Sequence, residues 1–461
     1  MRVILIVSDT FRYDHLGING NEEIITPELD EFGEDAVVFD NCYVSSFPTI
    51  PHRCDLNTGR WGFPFHGWQP LERDETPLAE HMREAGYHTQ LIADCPHLMS
   101  GAHNFWRGFE GYYWNRGQEG DTYLLRLNDP PECRVPVSKT RQSSICGFDV
   151  GLEDIAHWTN REWAWEGDTF AASTSQVACK WMEQNYRCED FFLWVDFFDA
   201  HEPWDAPQHF AELYDPGFTC QRMMHPNYGH ASAYTDEELR NLQANYAGEI
   251  TLVSKWIGQL LRKIKDCGIY DDTFIVFTSD HGMYLGEHDR TGKTNINDED
   301  ERGPWPMYEE IVHIPLMIKP PKSCEGIRRS EVVQPPDIGA TLLDAAGIAQ
   351  PDEIIGQSLM PLLEGEGNSG WQRSSAVCGQ GFHENMDILP PQTVTDGHWS
   401  LQFGAGRAPE LYDLDEDPAQ QNNIAADNPG KIRELHSAVT DLLKREGADA
   451  DRIELVEDAL N

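Results

Sequence analysis

Two hydrophobic patterns alternate along the first three quarters of the chain. Short, nearly continuous apolar runs bounded by turn residues predict buried strands at Val3 to Val7, Tyr87 to Ala93, Phe191 to Phe198, Thr273 to Thr278 and Ile314 to Lys319. Between them, apolar residues recur every three or four positions. That spacing predicts helices at Thr76 to Ala85, closed by Gly86, at Glu237 to Lys265, and at Asp337 to Ala346, closed by Gly347. Strands without in-out alternation are buried on both faces, and helices between successive strands return the chain for parallel pairing. The pattern predicts an α/β fold, a three-layer sandwich about a mostly parallel central sheet.

Beyond about residue 370 the periods shorten. Ala376 to Gly379 and His398 to Phe403 read as short strands and Lys431 to Arg445 as a closing helix. Residues 371–461 are therefore expected to form a small α+β subdomain packed on a larger domain of residues 1–370. From residue 100 to 190, Trp, Tyr, Gly and Arg are frequent and periodicity is weak, which predicts long loops over one rim of the sheet. The aromatic stretches from Asn104 to Trp114 and from Trp158 to Trp165 could wall a substrate ring there.

A chain of 461 residues, 40% of them hydrophobic, can bury a substantial core, but its formal net charge is −43 and only ten of its cations are lysines. A polyanion has no sequence-independent attraction for nucleic acid or an anionic membrane, so neither is expected as a partner. The N-terminal run Met1 to Val7 is too short for a signal peptide, no run reaches bilayer-spanning length, and the eleven cysteines show no CxxC pairing. A soluble, cytoplasmic protein is expected, and a homo-oligomer is compatible with this composition.

In open α/β sheets ligands bind beyond the carboxyl ends of the strands, so polar groups directly after strands come first. Asp9 follows the first strand, and Asp280 with His281 follows the strand ending at Thr278. Parallel strands would bring all three to one edge, where two carboxylates and an imidazole suit Ca²⁺, Mn²⁺ or Zn²⁺. Plain turn caps are the alternative. Thr49 stands just before a helix that takes Pro51 into its first turn and runs to Thr58-Gly59. Its hydroxyl is a nucleophile if a metal or base lowers its pKa, and otherwise an N-cap. His201, directly after the strand Phe191 to Phe198, suits protonation of a leaving group, or is a loop histidine satisfied by Asp199. Lys293 is an anion contact or a solvated loop cation.

Taken in order, these segments resemble one family. Val7 to Gly17 (VSDTFRYDHLG), Thr26-Pro27, Pro48 to Arg53 (PTIPHR) with Thr58-Gly59, Phe198 to Trp204 (FDAHEPW), Thr278 to Gly282 (TSDHG), Gly292-Lys293 and Glu410 to Leu414 (ELYDL) are similar to the sulfatase family of the alkaline-phosphatase superfamily over nearly the whole chain. The resemblance implies an alkaline-phosphatase-like sandwich with a small antiparallel C-terminal subdomain. It also implies one divalent metal ion held by Asp9, Asp280, His281 and the nucleophile Thr49. Arg53 would hold that nucleophile, His201 and Lys293 would contact the transferred group and its leaving oxygen, and His97 is the counterpart of a family histidine.

Four positions depart from the family. Thr49 stands where sulfatases carry the Cys or Ser that is oxidised to formylglycine, and a secondary alcohol cannot give that aldehyde. Asp9 is followed by Thr10 rather than by a second carboxylate, and His281 stands where many sulfatases have Asn. Where a family lysine contacts the anion, the chain has Asp94, which must point away or bind a second metal. These departures favour phosphate diesters, phosphate monoesters or phosphonate esters as substrates, attacked by unmodified Thr49. The alternatives are a sulfuric-ester hydrolase working without formylglycine, and a catalytically inactive pseudoenzyme that binds anions. A second metal would draw on Asp94, His97, Asp196, Asp199, His201 and His288, whose spacing does not match the usual two-zinc motif, so one ion is expected.

Overall fold

The strands of the two larger sheets are β1 (Arg2–Ser8), β2 (Val37–Cys42), β3 (Ser46–Phe47), β4 (His88–Ala93), β5 (Gly111–Trp114), β6 (Phe191–Phe197), β7 (Thr273–Ser279), β8 (Leu316–Lys319), β9 (Ile327–Val333), β10 (Ala376–Gln380), β11 (Gln392–Thr395), β12 (Trp399–Gly404) and β13 (Arg407–Asp413). The computed structural model describes residues 1–136, 138–143, 150–297, 302–322, 326–364, 370–382 and 388–460. The central sheet runs β9-β2-β8-β7-β1-β6-β4-β5, and of these eight strands only β8 is antiparallel to its neighbours.

Seven helices matter for the site: α1 (Pro27–Glu34), α2 (Thr49–Thr58), α3 (Leu78–Glu84), α4 (Phe170–Asn185), α5 (Asp236–Asp266), α6 (Pro335–Ala345) and α7 (Pro429–Glu446). Successive residues of β1 point to opposite faces of the sheet. Val3, Leu5 and Val7 pack with Leu56 of α2, Met82 of α3 and Leu342 of α6. Ile4 and Ile6 pack with Phe32 of α1, Met182 of α4 and Ile250 of α5. Two helical layers thus enclose one sheet, which is why the central strands β1, β6 and β7 are buried almost throughout. The long helix α5 opens with a capping box in which Thr235 and Glu238 exchange backbone hydrogen bonds, and it closes on Lys263 and Lys265. Among the described residues no helix is long and apolar enough to cross a membrane.

The second sheet, β13-β12-β11-β10-β3, is antiparallel except at its last pair. There β3 runs parallel to β10, with Ser46 opposite Gly379 and Phe47 opposite Gln380. The C-terminal sheet therefore takes its fifth strand from the segment directly before Thr49. Leu435, Val439 and Leu443 of α7 cover it, together with Trp61 and Phe63.

Candidate active site

β1 and β7 are parallel neighbours with Ser8 opposite Ser279, so Asp9 and Asp280 leave the sheet side by side. Thr10, in the left-handed region at φ 57°, ties them together. Its amide donates to Asp280 Oδ1 at 2.8 Å and its hydroxyl to Asp9 Oδ1 at 2.8 Å. His281 continues the β7 turn. Gly282 beyond it packs so closely on Glu310 that a Cβ would lie 2.0 Å from the carbonyl oxygen. The His281 Nδ1 lies 3.0 Å from the Gly282 carbonyl, which places the proton there and leaves the Nε2 lone pair facing Thr49 Oγ1 at 3.3 Å and Asp280 Oδ2 at 3.4 Å.

Thr49 is the first residue of α2 rather than its cap. Pro48 holds the cap position, and no side chain caps the helix there. The N-cap alternative for Thr49 therefore fails, and its hydroxyl faces His281. All ten residues of α2 are buried although six of them are polar. Arg53, fully buried, places Nη1 2.5 Å from Asp280 Oδ2, Nη2 3.2 Å from Asp9 Oδ2 and 3.0 Å from Asp196 Oδ1, and Nε 3.1 Å from Asp196 Oδ2. Its hydrogen bonds go to these carboxylates, not to Thr49.

One guanidinium among three buried carboxylates leaves an excess of negative charge. Burial and the repulsion of Asp280 hold the Asp9 carboxyl well above the usual range. Asp280 goes the other way: burial raises it, but His281, Arg53 and His52 together hold it well below. Burial pushes the His281 imidazole down to about 4, so it is neutral and can ligate. The donor atoms of Asp9, Asp280 and His281 all lie within 4.8 Å of one another. Surplus charge, clustered carboxylate oxygens and a neutral imidazole fit a divalent cation.

In front of Thr49 lies a cavity of about 320 Å³ whose walls include Trp68, His97, His201 and Lys293. Four of its residues escaped the sequence reading or its role assignments: Glu119, Arg141 and Tyr228 on the wall, and Glu202 behind it. His201 Nδ1 lies 2.7 Å from the Glu202 carbonyl oxygen, and burial pushes this imidazole down to about 3 despite the Glu202 carboxylate. Lys293 Nζ lies 3.3 Å from Glu202 Oε2, and the Tyr228 hydroxyl also donates to Glu202. His97 Nε2 meets Glu119 Oε2 at 2.9 Å, and Arg141 reaches Glu119 Oε1 at 3.1 Å while its guanidinium lies 5.1 Å over the Tyr228 ring. Glu202 is a neighbour of His201 in the sequence. Glu119 and Arg141 sit in the weakly periodic rim, where spacing carries no signal.

Asp94 points away from the cavity. It is fully buried and accepts from Thr174 Oγ1 at 2.7 Å and from the Phe198 amide, and burial and Asp199 hold its carboxyl well above the usual range. Asp199 accepts from Gln118 and from the Ala171 amide, and His288 lies against Glu310 and Tyr308. None of the six residues considered for a second ion enters a metal-sized cluster among the described residues. Neither aromatic rim stretch lines the cavity; Trp68 does.

Residues 2–348 match the sulfatase family profile, and residues 302–447 match that of the N-sulphoglucosamine sulphohydrolase C-terminal region. The chain belongs to the sulfatase family. This sulfatase-family chain is 28% identical to an arylsulfatase of Clostridium perfringens (strain 13 / Type A), over 92% of its own length and 89% of that protein's. It is 25% identical to arylsulfatase K of Xenopus laevis, over 94% and 80%. Its fold superposes on that of a phosphonate monoester hydrolase of Agrobacterium radiobacter with a TM-score of 0.74, at 22% identity and 96% coverage of each chain. As a member of the sulfatase family it is a metal-dependent hydrolase of sulfuric or phosphoric ester bonds.

Proposed function

We propose that this chain hydrolyses small anionic esters of phosphoric or phosphonic acid, namely phosphate diesters, phosphate monoesters or phosphonate esters, with the unmodified hydroxyl of Thr49 as nucleophile. The observation that carries the reading is the position of that hydroxyl: uncapped at the start of α2, 3.3 Å from His281 Nε2 and open to a cavity bearing Lys293 and Arg141. A secondary alcohol yields no formylglycine, so attack comes from the hydroxyl oxygen itself. One divalent ion, Mn²⁺, Zn²⁺ or Ca²⁺, held by Asp9, Asp280, His281 and Thr49, would neutralise charge on the transferred group and lower the pKa of a hydroxyl beside it.

The side chains supply the rest. Thr49 Oγ1, its proton released to solvent, forms the new bond to phosphorus as the bond between phosphorus and the ester oxygen breaks. Lys293 and Arg141, steadied by Glu202 and Glu119, set positive charge against the non-bridging oxygens. His201 keeps Nδ1–H on the Glu202 carbonyl, which leaves Nε2 for the leaving oxygen. The imidazole is neutral in the free protein and gains its proton as an anion seats beside it. His97, oriented by Glu119, completes the wall. Water then cleaves the threonine ester.

A second recess of about 660 Å³ adjoins the cavity and shares Phe47, Pro48, Trp68, Thr294, Ile296 and Gln380 with it. Its apolar lining favours an apolar or aromatic leaving group. The names of the arylsulfatase relatives favour a second reading, sulfate esters. Thr49→Ala should lower kcat by at least about 10³-fold with an unchanged circular dichroism spectrum. Turnover that survives the substitution ends the proposal. On a panel of aryl phosphate diester, aryl phosphonate and aryl sulfate, kcat/KM should be highest for a phosphorus ester, and a higher value on the sulfate reverses the order.

A further inference from the structure

We propose that Cys54, His66 and Glu75 form a second divalent-metal site, suited to Zn²⁺, which clamps the irregular segment 59–77 to α2. The donor atoms of the three side chains all lie within 4.8 Å of one another. Cys54 Sγ is 3.8 Å from His66 Nε2, and His66 Nε2 is 3.3 Å from Glu75 Oε1. Zinc bonds of about 2.3 Å to sulfur and about 2.1 Å to nitrogen or oxygen, at tetrahedral angles, require separations of about 3.6 Å for S···N and about 3.4 Å for N···O. The observed pair matches that geometry. The same 3.3 Å is long for a hydrogen bond from imidazole to carboxylate, which prefers about 2.9 Å.

The surroundings agree. His66 and Glu75 border a cavity of about 360 Å³ that also presents Glu72, Asp74 and Glu353, with Arg60 as its cation. That field favours a cation, and the open side leaves a fourth position for water. The His66 ring is steadied from behind by the Gln69 amide, 3.3 Å from Nδ1. With Nε2 on a metal, Nδ1 carries the proton and the Gln69 amide turns its oxygen to it. The backbone at Gly62 approaches so closely that a Cβ would lie 2.8 Å from Asp55 Oδ1 and 3.2 Å from the His66 ring. Burial, with Glu75 and Asp55 nearby, pushes the Cys54 thiol well up, so an empty site keeps its proton; as the sulfur–zinc bond forms, that proton passes to solvent.

Segment 59–77 contains neither helix nor strand, yet it carries Trp68 to the wall of the catalytic cavity. Zinc at this site would fix that indole from a distance, as a positioning device rather than a reacting group.

The test uses the full chain stripped with chelator and reloaded with Zn²⁺ or Co²⁺ alone. Asp280→Asn disables the cluster beside Thr49 and should leave one bound zinc. Cys54→Ser and Glu75→Gln should each weaken that remaining zinc by more than about 10-fold. Cobalt should give a near-ultraviolet thiolate charge-transfer band in the wild type and in Asp280→Asn, and none in Cys54→Ser. Zinc should raise the Tm of Asp280→Asn, and Glu75→Gln, changed at a half-buried loop position, should remove that rise with an unaltered circular dichroism spectrum. Absence of zinc from Asp280→Asn, or a cobalt spectrum without the thiolate band, overturns the proposal.

Discussion

Arg141 stands in the cavity without any motif to announce it, a cation on the wall from which Asp94 is turned away. Its guanidinium is held by Glu119 and by the face of Tyr228, so it is poised for an anion rather than free in solvent. Arg141→Ala should raise KM for an anionic ester by about 10-fold or more and change kcat less, as measured by steady-state kinetics. Glu153 poses a different residue-scale question. Burial pushes its carboxyl from an ordinary 4.5 up to about 8, and the Met224 amide donates to it at 3.1 Å. A carboxyl raised in the folded state favours folding below its unfolded pKa, and this contribution is lost as pH rises through the folded value. Wild-type stability should therefore fall relative to Glu153→Gln between about pH 4.5 and 8, by on the order of 5 kcal/mol. Parallel urea titrations of the two proteins across that window check the sign; a difference that does not change with pH contradicts it.

At the scale of elements, α2 is a buried helix made largely of polar residues, and its partners explain why. Asp55 accepts from the Ser45 hydroxyl ahead of the helix and from the Gly62 amide at 2.7 Å beyond it, pinning both approaches. Asp55→Ala strands both donors and should cost about 3 kcal/mol, read from the urea midpoint. The elements whose own sequence carries a strong period were legible in advance: β1, β6, β7 and α5 lie within a residue or two of the expected bounds. β9 was not, because its sequence IRRSEVV mixes charge into an edge strand that is only half covered. The residues of β8 predict a strand, but its reversed direction follows from packing between β2 and β7 rather than from its own residues. The same division holds at the site. Asp9, Asp280, His281, Thr49 and His201 follow strands or open a helix, so position betrayed them, whereas Glu119 and Arg141 arrive on loops whose course depends on the whole fold.

For the molecule as a whole, a net charge of −43 surrounds the cavity proposed to receive an anion. Long-range repulsion then opposes encounter, while Lys293 and Arg141 act only at close range. Raising ionic strength from about 0.01 M to about 0.15 M shortens the screening length from about 30 Å to about 8 Å. kcat/KM for a charged ester should rise over that range and that of a neutral ester should not, as a paired salt titration would show; a fall for the charged ester contradicts this account.

The pairing of Ser46-Phe47 with Gly379-Gln380 means that the Thr49 hydroxyl, the proposed nucleophile, lies two residues beyond an edge strand of the small sheet. A bulky leaving group that pries the two sheets apart would tug the nucleophile out of line in the same motion. Oversized substrates should therefore bind and stall, their size felt in turnover before it is felt in affinity.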